Sequence, residues 1–171
     1  MRIVAGKFAG RNLVSPQGSR VRPTAEGVRD EMLGLLAADI QKAKVLDLFA
    51  GTGALGLEAI SRGASRADFV EFRPDSLHSL KANIAALRLL KNTRVFKRDA
   101  LPFAAALAPD TYDIAFADPP YGSKMLERVI DTWMLNHFAK VLAVEHRTDH
   151  LLPKGASYRV FEDTAITIYR V

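Results

Sequence analysis

The chain has no cysteine. That rules out disulfides, a thiol nucleophile and any cysteine-ligated metal site. No apolar run approaches the ~18 residues that a membrane span needs, and the opening Met1-Arg2-Ile3-Val4-Ala5-Gly6-Lys7 lacks the apolar core of a secretory signal. A cytoplasmic location and no membrane partner are therefore expected. Residues 1–25 contain no Asp or Glu, yet they include Arg2, Lys7, Arg11, Arg20 and Arg22. That surplus equals the formal charge of the whole chain, +5. A one-signed segment creates a directed field, and a phosphate backbone is the partner that suits it. A solvated arm without a partner is the plainer alternative. The four histidines, His78, His137, His146 and His150, show no ligand spacing, so no metal is expected.

The stretch Val45 to Glu58 organises the rest. Val45-Leu46-Asp47-Leu48-Phe49 reads as a short buried strand. It breaks at Ala50-Gly51-Thr52-Gly53 and resumes with helical period through Leu55, Leu57, Ala59 and Ile60. A strand turning through glycines into a helix is expected to leave backbone N–H groups facing a crevice open to a nucleotide-like ligand. Gly51, Gly53 and Gly56 fit the dinucleotide fingerprint, and a tight turn that binds nothing fits as well. Asp47, however, stands at the carboxyl end of the strand. A carboxylate repels phosphate but suits a ligand carrying an ammonium and a sulfonium, which favours S-adenosylmethionine.

Further carboxylates recur at strand ends. Glu71 lies twenty residues beyond Gly51, the spacing at which an acceptor reaches ribose hydroxyls. Phe72 is placed to pack on an adenine face. Asp99-Ala100 ends a third strand, as an acceptor for an adenine amine or a helix cap. A fourth strand runs into Asp118-Pro119-Pro120-Tyr121. Two prolines stiffen the backbone and remove two donors. The Asp118 carboxylate and the Pro119 carbonyl then form a rigid acceptor set beside the Tyr121 ring, which suits a planar base with an exocyclic amine.

The remaining periodicity predicts the architecture. Residues 1–23 read as a basic β-hairpin arm and 24–171 as the core of one domain. Thr24 looks like a cap for a helix carrying Val28, Met32, Leu35 and Leu36; Arg22 and Arg29 flank its start, to hold phosphate or to pair with Glu26 and Asp30. Strands are expected over 44–49, 67–72, 93–97, 112–117 and 141–145, and helices over 54–62, 74–87, 102–107 and 123–135. A closing antiparallel pair, 158–161 and 165–171, completes a doubly wound α/β sheet with one reversed strand.

With both motifs identified, the chain resembles the bacterial 16S ribosomal RNA guanine-N2 methyltransferases of the RsmD type. The likeness runs through Arg2-Ile3-Val4-Ala5-Gly6, Gly10-Arg11, Arg22-Pro23-Thr24, Val28-Arg29, Asp47 to Ala59, Val70-Glu71, Asn83, Asp118 to Tyr121 and Ile168-Tyr169-Arg170. It implies a seven-stranded Rossmann-like S-adenosylmethionine-dependent methyltransferase fold. It also implies a guanine in a 16S rRNA hairpin loop near the ribosomal P site, met in a small subunit or assembly intermediate; the enzyme is expected to act as a monomer. Carried over by motif, Asp47, Gly51 and Gly53 hold the methionine part of the donor, Glu71 the ribose, and Asp99 the adenine; Ala50, Phe72, Ala100 and Asp118 are expected as further cofactor contacts. Asp118, Pro119 and Tyr121 hold the base, and Arg2, Lys7, Arg11, Arg20, Arg22 and Arg29 face RNA. The chain departs from the family at Arg73, at Glu26-Gly27 and at Leu33. Other base amines, a protein glutamine, and a non-catalytic RNA-binding or assembly module remain alternatives, and a nicotinamide oxidoreductase is disfavoured by Asp47.

Overall fold

A computed structural model describes residues 1–16, 24–120 and 122–171. Seven strands form one sheet: β1 (Lys44–Asp47), β2 (Arg66–Val70), β3 (Thr93–Phe96), β4 (Tyr112–Ala117), β5 (Ala139–Arg147), β6 (Ser157–Phe161) and β7 (Thr164–Arg170). Their order is β3-β2-β1-β4-β5-β7-β6. β7 is antiparallel to both neighbours, and the other pairings are parallel. The expected α/β sheet with a reversed strand is therefore present.

Burial on both faces explains why the central strands read as unbroken apolar runs. On one face Val45, Phe69, Ile114 and Phe116 pack with α1 (Thr24–Leu35), α3 (Ala54–Ser61) and α4 (Pro74–Ala86), while the short α2 (Ala37–Ile40) adds Ile40. On the other, Leu46, Leu48, Val70 and Ala115 pack with α5 (Ala100–Ala105) and α6 (Met125–Asn136). Adjacent residues of a strand thus serve opposite layers, as the two-residue pleat requires. A fully buried side chain such as Phe69 or Leu57 contributes about 1.5–3 kcal/mol.

Several boundaries shift for local reasons. β2 stops at Val70 because the Glu71 carboxylate draws in the N–H groups of Phe72 and Arg73. β5 runs beyond the expected 141–145 because β7 pairs along it as far as Arg147↔Thr164. α5 begins at Ala100, and Thr24 is the first residue of α1 rather than a cap before it.

The arm is a small hairpin with an antiparallel bridge between Arg2 and Asn12, and it packs on the α3–α4 layer. Ile3 and Leu13 enter that core. The Val4 and Ala5 N–H groups each donate to the Glu58 carboxylate at 2.8 Å. Gly6 has φ +84°, and a Cβ there would lie 2.0 Å from the Ser61 carbonyl oxygen. Only glycine lets the arm approach α3 this closely.

Candidate functional site

The chain runs from β1 outward to β2 and β3, then returns to β4 on the other side of β1. At such a reversal an open α/β sheet has a crevice beyond the carboxyl ends of its strands. Asp47 ends β1 inside that crevice and is 2% exposed. Its cross-strand partners are Phe69 and Phe116. Glu71 and Asp118 each lie two residues further along the flanking strands, about 8 Å from Asp47 by strand spacing and rise. Three carboxylates therefore line one rim, with Asp47 between the other two.

In the glycine loop between β1 and α3, the three glycine N–H groups of the motif are taken up within the protein. Gly51 N–H donates to Glu71 Oε2 at 2.9 Å, Gly53 N–H to the Ala50 carbonyl at 2.7 Å, and Gly56 N–H to Asp47 Oδ2 at 3.1 Å. Each glycine of the dinucleotide-like pattern has its donor taken by an acceptor of the protein, so these three N–H groups are not free for a pyrophosphate, whereas the Thr52, Ala54 and Leu55 N–H groups have no acceptor among the described residues. Gly53 has φ +83°, and an added Cβ would lie 2.4 Å from Leu80 Cδ1, so α4 supports the loop from behind.

Electrostatics follow from this geometry. Burial pushes the Asp47 carboxyl up to about 7; the Gly56 N–H opposes that rise, and the Glu71 carboxylate adds to it. A buried acid beside another acid gains a stabilising partner when a cation arrives. Glu71 Oε1 accepts from the Phe72 and Arg73 N–H groups, each at 2.9 Å, and lies 3.5 Å from Arg73 Nε. Oε2 takes only the Gly51 N–H among the described residues, and a carboxylate oxygen has a second lone pair for a hydroxyl. Arg73, the departure from the family, thus steadies this carboxylate.

Phe72 presents an apolar ring at the rim, 57% exposed. Asp99 is exposed and caps α5, accepting the Leu101 N–H at 3.2 Å, with Ala100 buried behind it. Asp118 is exposed at the end of β4, followed by buried Pro119, and the Pro120 carbonyl accepts from Ser123 Oγ at 2.8 Å. Tyr121 lies outside the described residues, as do Arg20 and Arg22.

Of the arm cations, Arg2 is exposed and pairs with Glu26, Lys7 is exposed beside the Phe8 ring, and exposed Arg11 donates to the Ala86 carbonyl at 3.2 Å. Arg29 corrects the sequence reading. It is 4% exposed, its Nε lies 3.3 Å from Glu58 Oε2, and it donates to the Arg2 carbonyl. It pairs with neither Glu26 nor Asp30, and a guanidinium buried on these partners cannot reach a phosphate. Two interior residues escape the sequence reading as parts of the site's support. Glu58, fully buried, joins Arg29, Arg62 and the arm; its signal is a lone charge in an otherwise apolar or small α3. Asn83, noted only within the family likeness, bonds to the Thr52 carbonyl of the loop. Among the described residues no cluster of acids and histidines could hold a metal, and no helix is long and apolar enough to cross a membrane.

This sheet order and crevice define the Rossmann-like S-adenosylmethionine-dependent methyltransferase fold. An Escherichia coli protein of known structure, yhhF, superposes with TM-score 0.86 and 34% identity, covering 99% of this chain and 97% of that one. A Thermus thermophilus 16S rRNA N2 G1207 methyltransferase, RsmC, solved with AdoMet and guanosine, shares the fold with TM-score 0.70 and 19% identity over 90% of this chain and 44% of its own. The chain belongs to the family described as conserved hypothetical protein 95, the RsmD family, whose model matches residues 1–164. It is 35% identical to the ribosomal RNA small subunit methyltransferase D of Escherichia coli (strain K12), over 90% of this chain and 78% of that protein.

Proposed function

We propose that this protein methylates the exocyclic N2 amine of a guanine in 16S ribosomal RNA, using S-adenosylmethionine. The observation that carries the reading is the pair of carboxylates at the glycine loop: Glu71 and Asp47 take the Gly51 and Gly56 N–H groups and line the crevice. Such a crevice rejects phosphates and accepts a cation. The name of the Escherichia coli relative supplies the RNA class, and the resemblance points to a hairpin loop near the P site of an assembled or assembling small subunit.

In this reading the protein is one catalytic domain, acting as a monomer in the cytoplasm, with a basic arm. Ionised Asp47 holds the ammonium of the donor, the backbone from Ala50 to Gly53 its methionine chain, Glu71 the ribose hydroxyls, and Asp99, Ala100 and Phe72 the adenine. Bound there, S-adenosylmethionine supplies an electrophilic methyl on sulfur. Asp118 and the Pro119 carbonyl accept the two hydrogens of the guanine amine. That withdraws the nitrogen lone pair from the ring and aims it at the methyl carbon, with Tyr121 stacking on the base. As the N–C bond forms and the C–S bond breaks, its electron pair passes to sulfur, and Asp118 takes the surplus proton directly or through water. Fixing this alignment supplies much of the acceleration, on the order of 7–11 kcal/mol where positioning is complete. The base must leave its stack to reach the rim, which suits a loop.

The test is transfer of labelled methyl to small subunits from cells lacking the enzyme, with mass mapping of the product nucleoside. N2-methylguanosine is expected. Asp118→Ala is expected to lose transfer by at least about a hundredfold while still binding donor. A methylated adenine or cytosine would overturn the base assignment, and loss of donor binding in Asp118→Ala would overturn the role given to Asp118.

A further inference from the structure

We infer that the sheet edge formed by β3 and the outer side of α4 is a second docking surface for the phosphate backbone of the RNA substrate, apart from the arm. The inference rests on the reading of the protein as an RNA-modifying enzyme. It starts from the distribution of charge. Residues 73–98 contain seven Lys or Arg against Asp75 alone. Outside this segment and residues 1–25, the chain holds 12 Lys or Arg against 18 Asp or Glu, so the rest of the molecule is net negative. A polyanion is repelled by most of the surface and drawn to the two positive segments.

The fold gathers the second segment on one edge. β3 ends the sheet and pairs only with β2. Arg88 and Lys91 precede it and Lys97 and Arg98 follow it, so cations stand at both ends of a strand roughly 13 Å long. Lys81 lies two residues, about 200° of helical rotation, from Asn83, which faces the arm; Lys81 therefore points to the outer edge. All five side chains are exposed, and none pairs with a carboxylate among the described residues. The other cations of the segment differ: Arg73 is held by Glu71 and Arg94 by buried Asp68. The opposite edge, β6, exposes Tyr158 and Val160 and turns through Glu162-Asp163. Lys97 and Arg98 directly precede Asp99, so a strand of RNA on this edge continues onto the rim that carries Asp118. Charges flanking an exposed edge strand also guard against edge-to-edge aggregation, and the experiment must separate that role.

The experiment uses Lys81→Gln/Lys91→Gln/Lys97→Gln, with Lys42→Gln/Lys154→Gln as control, and measures binding of small subunits from cells lacking the enzyme across a salt series. The edge variant is expected to bind roughly ten- to a hundredfold more weakly near 0.15 M salt. The slope of log K against log salt should become shallower by about 1 for each phosphate no longer neutralised. Thermal stability and calorimetric binding of S-adenosylmethionine should match wild type, and the control should bind RNA as wild type does. Wild-type affinity and slope in the edge variant, with or without aggregation, overturn the inference and leave the proposed function standing. Failure of the wild type itself to transfer methyl to these particles overturns the proposed function instead.

Discussion

Asn83 pairs with Val14 through both ends of its amide: Oδ1 accepts the Val14 N–H at 2.7 Å, and Nδ2 donates to the Val14 carbonyl at 3.0 Å. The same Nδ2 donates to the Thr52 carbonyl at 3.0 Å. Thr52 Oγ1 also contacts Met1 Sδ at 3.7 Å. The loop between Gly51 and Gly53 is thus braced from behind by the arm, through one side chain that is 1% exposed. Both glycines have positive φ, a conformation with much freedom to lose. An external brace keeps the loop in its binding shape.

Asn83→Ala is therefore expected to lower stability by about 2 kcal/mol, since it strands buried backbone groups that had partners, and to weaken donor affinity about tenfold at a temperature where the variant is fully folded. Val14→Pro removes one N–H from an exposed arm position and should weaken donor affinity in the same direction, by less. Chemical denaturation and calorimetry check both. Unchanged donor affinity in folded Asn83→Ala would show that the brace has no bearing on the loop.

Glu58 and Arg29 form the buried joint of the arm. Glu58 accepts from Val4, Ala5, Arg29 and Arg62. Removing one member of a buried ion pair leaves the other uncompensated, at about 3–5 kcal/mol. Arg29→Ala should lower the denaturation midpoint accordingly, yet leave the salt slope of RNA binding by the folded fraction unchanged. A shallower slope would return Arg29 to the RNA surface.

Asp47 sets stability against function. Its carboxyl stands at about 7, up from 3.8. The folded state thus holds a proton that the unfolded state releases between those values. The ionised acid destabilises the fold above pH 7, and that penalty fades as pH falls from 7 towards 4. Asp47→Asn keeps an acceptor for the Gly56 N–H and removes the charge. Thermal melts should show it more stable than wild type at pH 8, by a few kcal/mol at most, with most of that difference gone at pH 4.5. A variant that is less stable at pH 8 would contradict this description of the crevice.

Much of this is legible in the residues themselves. The pattern predicts β4 over 112–117 and the strand spans Tyr112–Ala117, because an apolar run bounded by a turn and Asp-Pro-Pro has little freedom. The distance of Glu71 from Gly51 places it near the loop, and it does bond to Gly51. What stays hidden depends on partners far along the chain. The length of β5 is set by β7, and the burial of Arg29 by Glu58, 29 residues away. The pairing of the Gly51 and Gly56 N–H groups depends on where two carboxylates arrive, which the motif alone does not show. A cation on an amphipathic helix carries no local sign of whether it meets solvent or a buried acid.

Calorimetry of S-adenosylmethionine binding at pH 6.5, repeated in buffers of different ionisation enthalpy, tests the central claim most directly. There the donor ammonium is already charged and Asp47 is largely protonated, so binding should expel a proton from the protein. The observed heat should then vary with the buffer, affinity should fall as pH drops below 7, and Asp47→Asn should bind at least about tenfold more weakly with no proton released. Donor binding of equal strength in wild type and Asp47→Asn, with heats independent of the buffer, would contradict a crevice built to seat a cation on Asp47.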